Sequence, residues 1–195
     1  MTGRWADTTP AQMREWMAGA AFPWWIAGGW ALELWLGRPM RVHSDIEIGC
    51  FREDLPALVS HFAGWEIAIA RQKQLTPFSG VPSLPQPPYS LWVRRGSEVW
   101  DFEVLIEDGV DDQWHYRRDP RVTLPVSALT LMTASGHRVV APEVQLLFKS
   151  KERRSKDEDD FAAARSTLPE PSRRWLRDAL TTVDPAHDWI AALAS

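Results

Sequence analysis

The stretch that decides the fold runs from Trp24 to Phe51 and reads WWIAGGWALELWLGRPMRVHSDIEIGCF. Its first four residues are apolar, and the run breaks at Gly28 and Gly29, ahead of a segment with helical spacing. Further on, polar and apolar residues alternate over Asp45-Ile46-Glu47-Ile48. This period of two predicts a half-buried strand with both acids on one face.

The acids and the glycines of this stretch suit different parts of one ligand. Asp45 and Glu47 would repel each other side by side, and a divalent cation would remove that penalty. Gly28 and Gly29 lack a Cβ, so the backbone can approach a phosphate where a helix N-terminus offers free N–H groups. A simple tight turn is the alternative for the glycines. Phosphate beside a metal-binding acid pair is the arrangement needed for phosphoryl or nucleotidyl transfer.

The order G-G-W-A, L-G-R and R-x-H-x-D-I-E resembles the small antibiotic nucleotidyltransferases. The likeness is to the aminoglycoside 2″-adenylyltransferase-like group of the polymerase-β-type superfamily. It implies an α/β fold, a mixed sheet flanked by helices with a C-terminal helical cluster. The corresponding division is a nucleotidyltransferase domain over residues 1–140 and a helical subdomain over residues 141–195.

The resemblance also implies an activity, a nucleotidyltransferase that is Mg²⁺-dependent and moves AMP from ATP, or another nucleoside monophosphate from its triphosphate. The acceptor would be a hydroxyl of a small molecule such as an aminoglycoside. Asp45 and Glu47 would hold the metal, and Gly28 and Gly29 would cradle the phosphates. The family more often has aspartate at the position of Glu47, and the extra methylene moves the carboxylate outward by about a bond length.

A third carboxylate is expected from the segment W-D-F-E-V-L, in which Asp101 and Glu103 share a face. By position, Asp101 matches the family's third acid, which accepts the proton of the attacking hydroxyl or helps to hold the metal. Glu103 is the alternative. A surface acid on an exposed strand face remains open for both residues.

Three basic residues are candidate nucleotide contacts. Arg41 reads either as a phosphate contact or as the ion-pair partner of the carboxylates. His43 would orient Asp45 or touch a phosphate, although an ordinary surface histidine has the same pattern. Lys149 lies in PEVQLLFKSKERRSKDEDDF, which resembles the family tract P-E-x-x-L-L-x-K-x-K…K-D-x-x-D-F, and is the first choice for a triphosphate contact. A solvated lysine is the alternative.

The rest of the chain supplies the scaffold. The predicted elements are a helix from Thr9-Pro10 to Gly19, a helix from Arg52 to Ala63, a strand from Trp65 to Ala70, a loop from Thr76 to Pro88, strands from Tyr89 to Arg95 and from Glu98 to Glu107 around a Gly96-Ser97 turn, strands over Trp114–Arg118 and Val122–Leu124, a helix from Pro142, and two helices around Trp175–Leu180 and Asp188–Leu193. The proline-rich loop is either a wall of the substrate site or a surface insertion.

Composition excludes several classes of protein. The net charge of −4 and the absence of a lysine- or arginine-rich tail argue against a dedicated nucleic-acid binder. No apolar run reaches the roughly 18 residues of a membrane span. A single cysteine, Cys50, cannot form an internal disulfide, which favours a cytoplasmic protein. We expect a monomer or a homodimer.

Two other functions remain open. The same chemistry directed at tRNA or protein occurs in toxin-like relatives, although the acidic chain argues against tRNA. A non-catalytic nucleotide-binding module is the other alternative, since Glu47 and the tryptophan of Gly-Gly-Trp depart from the superfamily pattern. The sequence does not identify the acceptor.

Overall fold

The computed structural model describes residues 3–72, 74–80, 89–96 and 98–194. The chain forms two compact units. The first comprises Met1–Trp30 and Val42–Asp108, and the second comprises Ala31–Arg41 and Gly109–Ser195. The division expected after residue 140 stays a prediction.

The first unit is a mixed sheet with helices. Its elements are helix α1 (Pro10–Trp16), strand β1 (Trp24–Ala27), the start of helix α2 (Gly28–Leu36), strand β2 (Glu47–Phe51), a 3-10 turn (Arg52–Asp54), helix α3 (Leu55–His61), and strands β3 (Glu66–Arg71), β4 (Gln74–Pro77), β5 (Ser90–Arg94) and β6 (Phe102–Glu107). The six strands lie in the order β1–β2–β6–β5–β3–β4. Strands β2 and β6 are parallel, and the other neighbours in this order are antiparallel.

The two faces of this sheet differ in character. Ile48 of β2 and Val104 of β6 are fully buried, and they pack in one cluster with Met13 of α1 and Leu58 of α3. Cys50 lies in the same cluster, where burial raises the pKa of its thiol and keeps it unreactive. Side chains alternate between the two faces of a strand, so Glu47 and Glu103, which precede Ile48 and Val104, lie on the opposite face. The predicted α/β fold is therefore confirmed.

Two strands begin later than the alternation predicts. The strand β2 starts at Glu47 rather than Asp45, because β1 ends at Ala27, the pairing partner of Glu47. The strand β6 starts at Phe102 rather than Glu98. Trp100 instead forms an isolated bridge with Trp5 of the N-terminal segment.

The proline-rich loop also begins later than expected. Thr76 and Pro77 belong to β4, where they pair with Ile69 and Ala68 of β3. The part over residues 81–88 lies outside the described residues, as does Ser97 of the predicted turn. A wall or lid role for the loop thus stays a prediction.

The second unit holds the remaining strands and helices. Strands β7 (Gly109–Val110), β8 (Gln113–His115) and β9 (Thr123–Pro125) form an antiparallel sheet, and after a 3-10 turn (Val126–Ala128) strands β10 (Thr130–Met132) and β11 (Arg138–Val140) pair with each other. Helices α4 (Pro142–Lys149), α5 (Ser155–Ala164), α6 (Glu170–Val183) and α7 (Trp189–Ala194) follow and form the expected helical cluster. No helix within the described ranges is long and apolar enough to cross a membrane.

Two tryptophans, Trp114 and Trp175, connect the small sheet of this unit to its helices. Trp114 is fully buried beside Phe148 of α4, with 6.1 Å between their ring centroids. The Trp175 indole of α6 donates a hydrogen bond to the Thr123 carbonyl at 3.1 Å. A half-buried tryptophan stabilises a core when its indole N–H forms a hydrogen bond, as that of Trp175 does.

A cluster of buried charges joins α4 to α5. Lys149 Nζ lies 3.3 Å from Asp157 Oδ1 and 2.8 Å from Asp160 Oδ2. Arg154 Nε lies 2.8 Å from Asp157 Oδ2, and Arg41 Nε lies 3.1 Å from Asp160 Oδ1. Both aspartates are fully buried. Removing either carboxylate would leave the buried Lys149 ammonium with only one of these two negative partners.

We predict that Gly49→Ala destabilises the protein by about 1–3 kcal/mol, through overpacking in the sheet. A Cβ at Gly49 would lie 2.1 Å from Nε1 and 2.3 Å from Cε2 of the Trp25 indole, which is 2% exposed. The free energy of unfolding, measured in denaturant, tests this. Gly96→Ala is the matched control, because a Cβ there meets no atom of the described residues within 4 Å apart from its chain neighbours. Equal stability of Gly49→Ala and the parent would contradict the packing described.

We predict that Asp157→Asn destabilises the protein by about 1–3 kcal/mol at neutral pH and by less in acid. Burial tends to raise the pKa of Asp157, but the hydrogen bond from Arg154 and the charge of Lys149 outweigh it, so the pKa lies below its ordinary value. The stabilisation is therefore complete above the unfolded-state pKa of about 4 and is lost as pH falls through the lower folded-state pKa.

Unfolding measured from pH 7 to pH 3 tests this dependence. Asp178→Asn is the control, since that side chain is 67% exposed and its pair with Arg177 is long, at 3.6 Å. A stability difference between Asp157→Asn and the parent that stays constant over this pH range would refute the prediction.

Candidate active site

The glycine turn and the second acid of the central stretch are in direct contact. Gly28 has a positive φ of 69°, which favours glycine, and it is the first residue of α2. An ideal Cβ at Gly28 would lie 1.7 Å from Oε2 of Glu47. The positive φ would strain any larger residue at this position, and its side chain would also require the end of the Glu47 side chain to move. Gly29 follows it, also buried, in the first turn of α2.

Of the other acids, Glu103 pairs with Glu47 in the sheet, and Asp45 and Asp101 lie just before the two strands. The parallel register pairs Glu47 of β2 directly with Glu103 of β6, and the Glu103 backbone N–H donates a hydrogen bond to the Ile46 carbonyl at 3.0 Å. Asp45 precedes β2 by two residues, and Asp101 precedes Glu103 by two residues. The same register, extended toward the N-termini of both strands, would set Asp45 opposite Asp101.

Three of these acids have hydrogen-bond donors close in sequence or on the adjoining strand. Ser44 Oγ donates to Asp45 Oδ1 at 3.1 Å. The Arg95 backbone N–H donates to Asp101 Oδ2 at 2.7 Å, across the connection between β5 and β6. Ser90 Oγ donates to Glu103 Oε1 at 2.5 Å. Each carboxylate is thus stabilised separately, which reduces the repulsion among like charges.

The oxygen donors have the chemistry that Mg²⁺ prefers, but their arrangement is not that of a finished metal site. Within the described part of the chain, no three histidine, cysteine, aspartate or glutamate side chains lie close enough to hold one metal ion. The Glu47 carboxylate is directed to Gly28.

His43 packs against the tryptophan that follows the glycines. The His43 and Trp30 rings are stacked, with centroids 4.2 Å apart and an angle of 27° between their planes. Both side chains are half-buried. The stack holds the segment before Asp45 beside the first turn of α2. Whether His43 also orients Asp45 or touches a phosphate stays a prediction.

The remaining basic candidates lie in the second unit, within its buried charge cluster. Lys149 is 7% exposed, and its ammonium contacts the carboxylates of Asp157 and Asp160. Arg41 makes two hydrogen bonds to Asp160, from Nε at 3.1 Å and from Nη2 at 3.2 Å. These contacts are a sufficient structural reason for both cations. Their contacts with nucleotide stay predictions.

Sequence reasoning missed three contributors. The Glu103–Ser90 contact depends on the pairing of β5 with β6, and the Trp30–His43 stack depends on how the chain returns to Trp30 at His43. The pairing of Asp160 with Arg41 joins residues far apart in the chain. The two predicted strands that contain Ser90 and Glu103 are joined by one turn. Pairing them residue by residue could have suggested Ser90 as a neighbour of the acids.

Comparison with known proteins gives a consistent result. Residues 11–78, about a third of the chain, match the sequence model of the aminoglycoside-2″-adenylyltransferase family. That segment includes Gly28, Gly29, Asp45 and Glu47. No curated protein sequence gives a significant match.

Solved structures of antibiotic adenylyltransferases share the fold. A crystal structure of ANT(2″)-Ia with adenylyl-2″-tobramycin is 17% identical, with a TM-score of 0.58, and the match covers 88% of this chain and 95% of that one. A solution structure of ANT(2″)-Ia is 20% identical, with a TM-score of 0.60 and 97% of each chain covered. The lincomycin-bound lincosamide adenylyltransferase LnuA is 15% identical, with a TM-score of 0.58, and the match covers 84% of this chain and 100% of that one.

At these identities the structural matches establish the fold, and the match over residues 11–78 carries the resemblance in sequence. The expected likeness to aminoglycoside 2″-adenylyltransferases is confirmed. The chain therefore resembles the aminoglycoside-2″-adenylyltransferase family in sequence over residues 11–78, and it shares the fold of antibiotic adenylyltransferases over most of its length.

Proposed function

We propose that this enzyme transfers AMP from ATP to a hydroxyl group of a small molecule. The observation that carries the proposal is the contact of the Gly28 turn with Glu47, which the parallel register pairs with Glu103. A phosphate can come close to the backbone of this turn, and carboxylate oxygens that suit a hard cation lie next to it. The match over residues 11–78 supports the same chemistry.

The first two acids are assigned to Mg²⁺. Asp45 and Glu47 supply the oxygen ligands, and the bound ion would neutralise phosphate charge and favour in-line attack at the α-phosphate. The Gly28–Gly29 turn presents backbone N–H groups to the triphosphate. The stacked rings of His43 and Trp30 hold the segment that carries Asp45 close to this turn.

Asp101 is the first candidate for the base that accepts the proton of the attacking hydroxyl. The Arg95 backbone N–H binds its Oδ2 and fixes the carboxylate at the start of β6. Glu103 is the alternative, because it lies directly beside Glu47 in the parallel register. In either case the base comes from β6 or from the residue just before it, and β6 is the parallel neighbour of the strand that begins with Glu47.

The acceptor class follows from the relatives and from charge. The solved neighbours were determined with adenylyl-2″-tobramycin and with lincomycin, both hydroxyl-rich small molecules. A net charge of −4 favours a cationic acceptor over a polyanion such as tRNA. We therefore propose an aminoglycoside- or lincosamide-type antibiotic as the acceptor.

A second candidate function is a nucleotide-binding module without catalysis. The observation in its favour is that, among the described residues, three potential metal ligands do not converge. Such a module would bind ATP yet neither require Mg²⁺ nor release pyrophosphate. The enzyme requires both.

We predict that pyrophosphate is released from ATP only when Mg²⁺ and an acceptor are present. The assay should cover a panel of aminoglycosides and lincosamides, with tRNA in parallel. Asp45→Asn should lower turnover on the order of a thousandfold, because it removes a ligand for the ion that stabilises phosphate charge. Exposed Asp178 provides the control variant Asp178→Asn, which should retain activity.

The same assay distinguishes the two candidates for the base. Asp101→Asn should be as damaging as Asp45→Asn if Asp101 accepts the proton, and Glu103→Gln should then be milder. The reverse order would assign the proton to Glu103. Undiminished turnover in folded Asp45→Asn would disprove the proposed function, and ATP binding without any pyrophosphate would favour the non-catalytic module.

A further inference from the structure

Glu47 places a carboxylate on the backbone of the turn that is proposed to receive phosphate. From the position of an ideal Cβ on Gly28, Oε2 of Glu47 lies at 1.7 Å, Cδ at 2.8 Å and Cβ at 3.5 Å. An ideal Cβ is about 1.5 Å from its Cα, so Oε2 lies within about 3.2 Å of the Gly28 Cα. The side chain curls back so that its charged end meets the glycine.

Both the register and the local charge explain this position. The pairing of β1 with β2 ends at Ala27 and Glu47, so the Glu47 side chain starts beside the residue that precedes Gly28. Gly28 opens a helix of nine residues, and a helix N-terminus attracts negative charge. The chain thus supplies an anion of its own to this turn.

We propose that Glu47 is an internal competitor for the glycine turn, which a nucleoside triphosphate must displace in order to bind. The proposal rests on the proposed function, since it takes the Gly28–Gly29 turn as the phosphate site. Glu47 has two positions in this account. It contacts Gly28 in the structure described here, and it turns toward Asp45 when it serves as a metal ligand.

One consequence is that metal and nucleotide binding are coupled. While Glu47 contacts Gly28, the acids do not form a three-ligand site, in agreement with the arrangement of the described residues. Recruitment of Glu47 as a metal ligand frees the turn, so each ligand raises the affinity for the other. The coupling depends on the length of glutamate, because an aspartate carboxylate would end about one bond length short of the turn.

The test is ATP binding, measured by titration calorimetry with and without Mg²⁺. Glu47→Asp keeps the charge and shortens the reach, and in the absence of metal it should bind ATP about fivefold or more tightly than the parent. Mg²⁺ should then raise the affinity for ATP by a smaller factor in Glu47→Asp than in the parent. Glu66→Asp makes the same chemical change at the partly exposed acid of β3 and should bind ATP like the parent.

A second variant controls for local misfolding caused by the first. Glu47→Gln keeps the length but loses the charge, and it should also bind metal-free ATP more tightly, since a neutral amide competes less well for the helix N-terminus. Metal-free affinity in Glu47→Asp equal to or below that of the parent would overturn the proposal while leaving the proposed function intact. A parent protein that binds ATP under neither condition would overturn both.

Discussion

The fold around the candidate site depends on the parallel pairing of β2 with β6. This register sets Glu47 beside Glu103 at the ends of two neighbouring strands, while Ile48 and Val104 are buried on the other face. Like charges at paired positions oppose folding, and the surrounding chain offsets this with local donors. Ser90 donates to Glu103, and the turn at Gly28 receives Glu47. The apolar face packs into the core and stabilises the sheet, while the acidic face carries the candidate site residues.

Much of this arrangement could be predicted from local patterns. The apolar run before Gly28, the alternation around Ile46 and Ile48, and the helix from Pro142 all have a period that one sequence reveals. Strand starts were less predictable because they depend on partners: Asp45 lies beyond the last antiparallel pair of β1 with β2. The side-chain partners were least predictable, since the contact of Glu47 with Gly28 and the burial of Lys149 arise only when distant segments meet.

The buried charge cluster changes how the basic residues are interpreted. Lysine is usually solvated, and in a nucleotide enzyme an unexplained lysine invites assignment to phosphate. Here Lys149 already has two carboxylate partners in the second unit, and Asp160 also binds Arg41. Buried aspartates at 0% exposure need such compensation whatever the enzyme does. The same tract of sequence can therefore be explained by folding, and its resemblance to relatives is not by itself evidence for a nucleotide contact.

The comparisons and the geometry support each other over a limited region. The match over residues 11–78 contains the glycine turn and the first two acids, and Asp101 and Glu103 lie beyond it. Solved structures at 15–20% identity share the fold across most of the chain. One departure from the pattern that the resemblance implies is the glutamate at position 47, where aspartate is expected. Its contact with Gly28 gives that departure a physical consequence.

The central claim is that a nucleotidyl group passes from a triphosphate to an acceptor hydroxyl. The most direct measurement follows ATP labelled at the α-phosphate, incubated with Mg²⁺, the protein and a hydroxyl-bearing antibiotic, and then separates the products. The account predicts label on the antibiotic in an amount equal to the pyrophosphate released. Label found only in free AMP or ADP, with unmodified antibiotic, would contradict it.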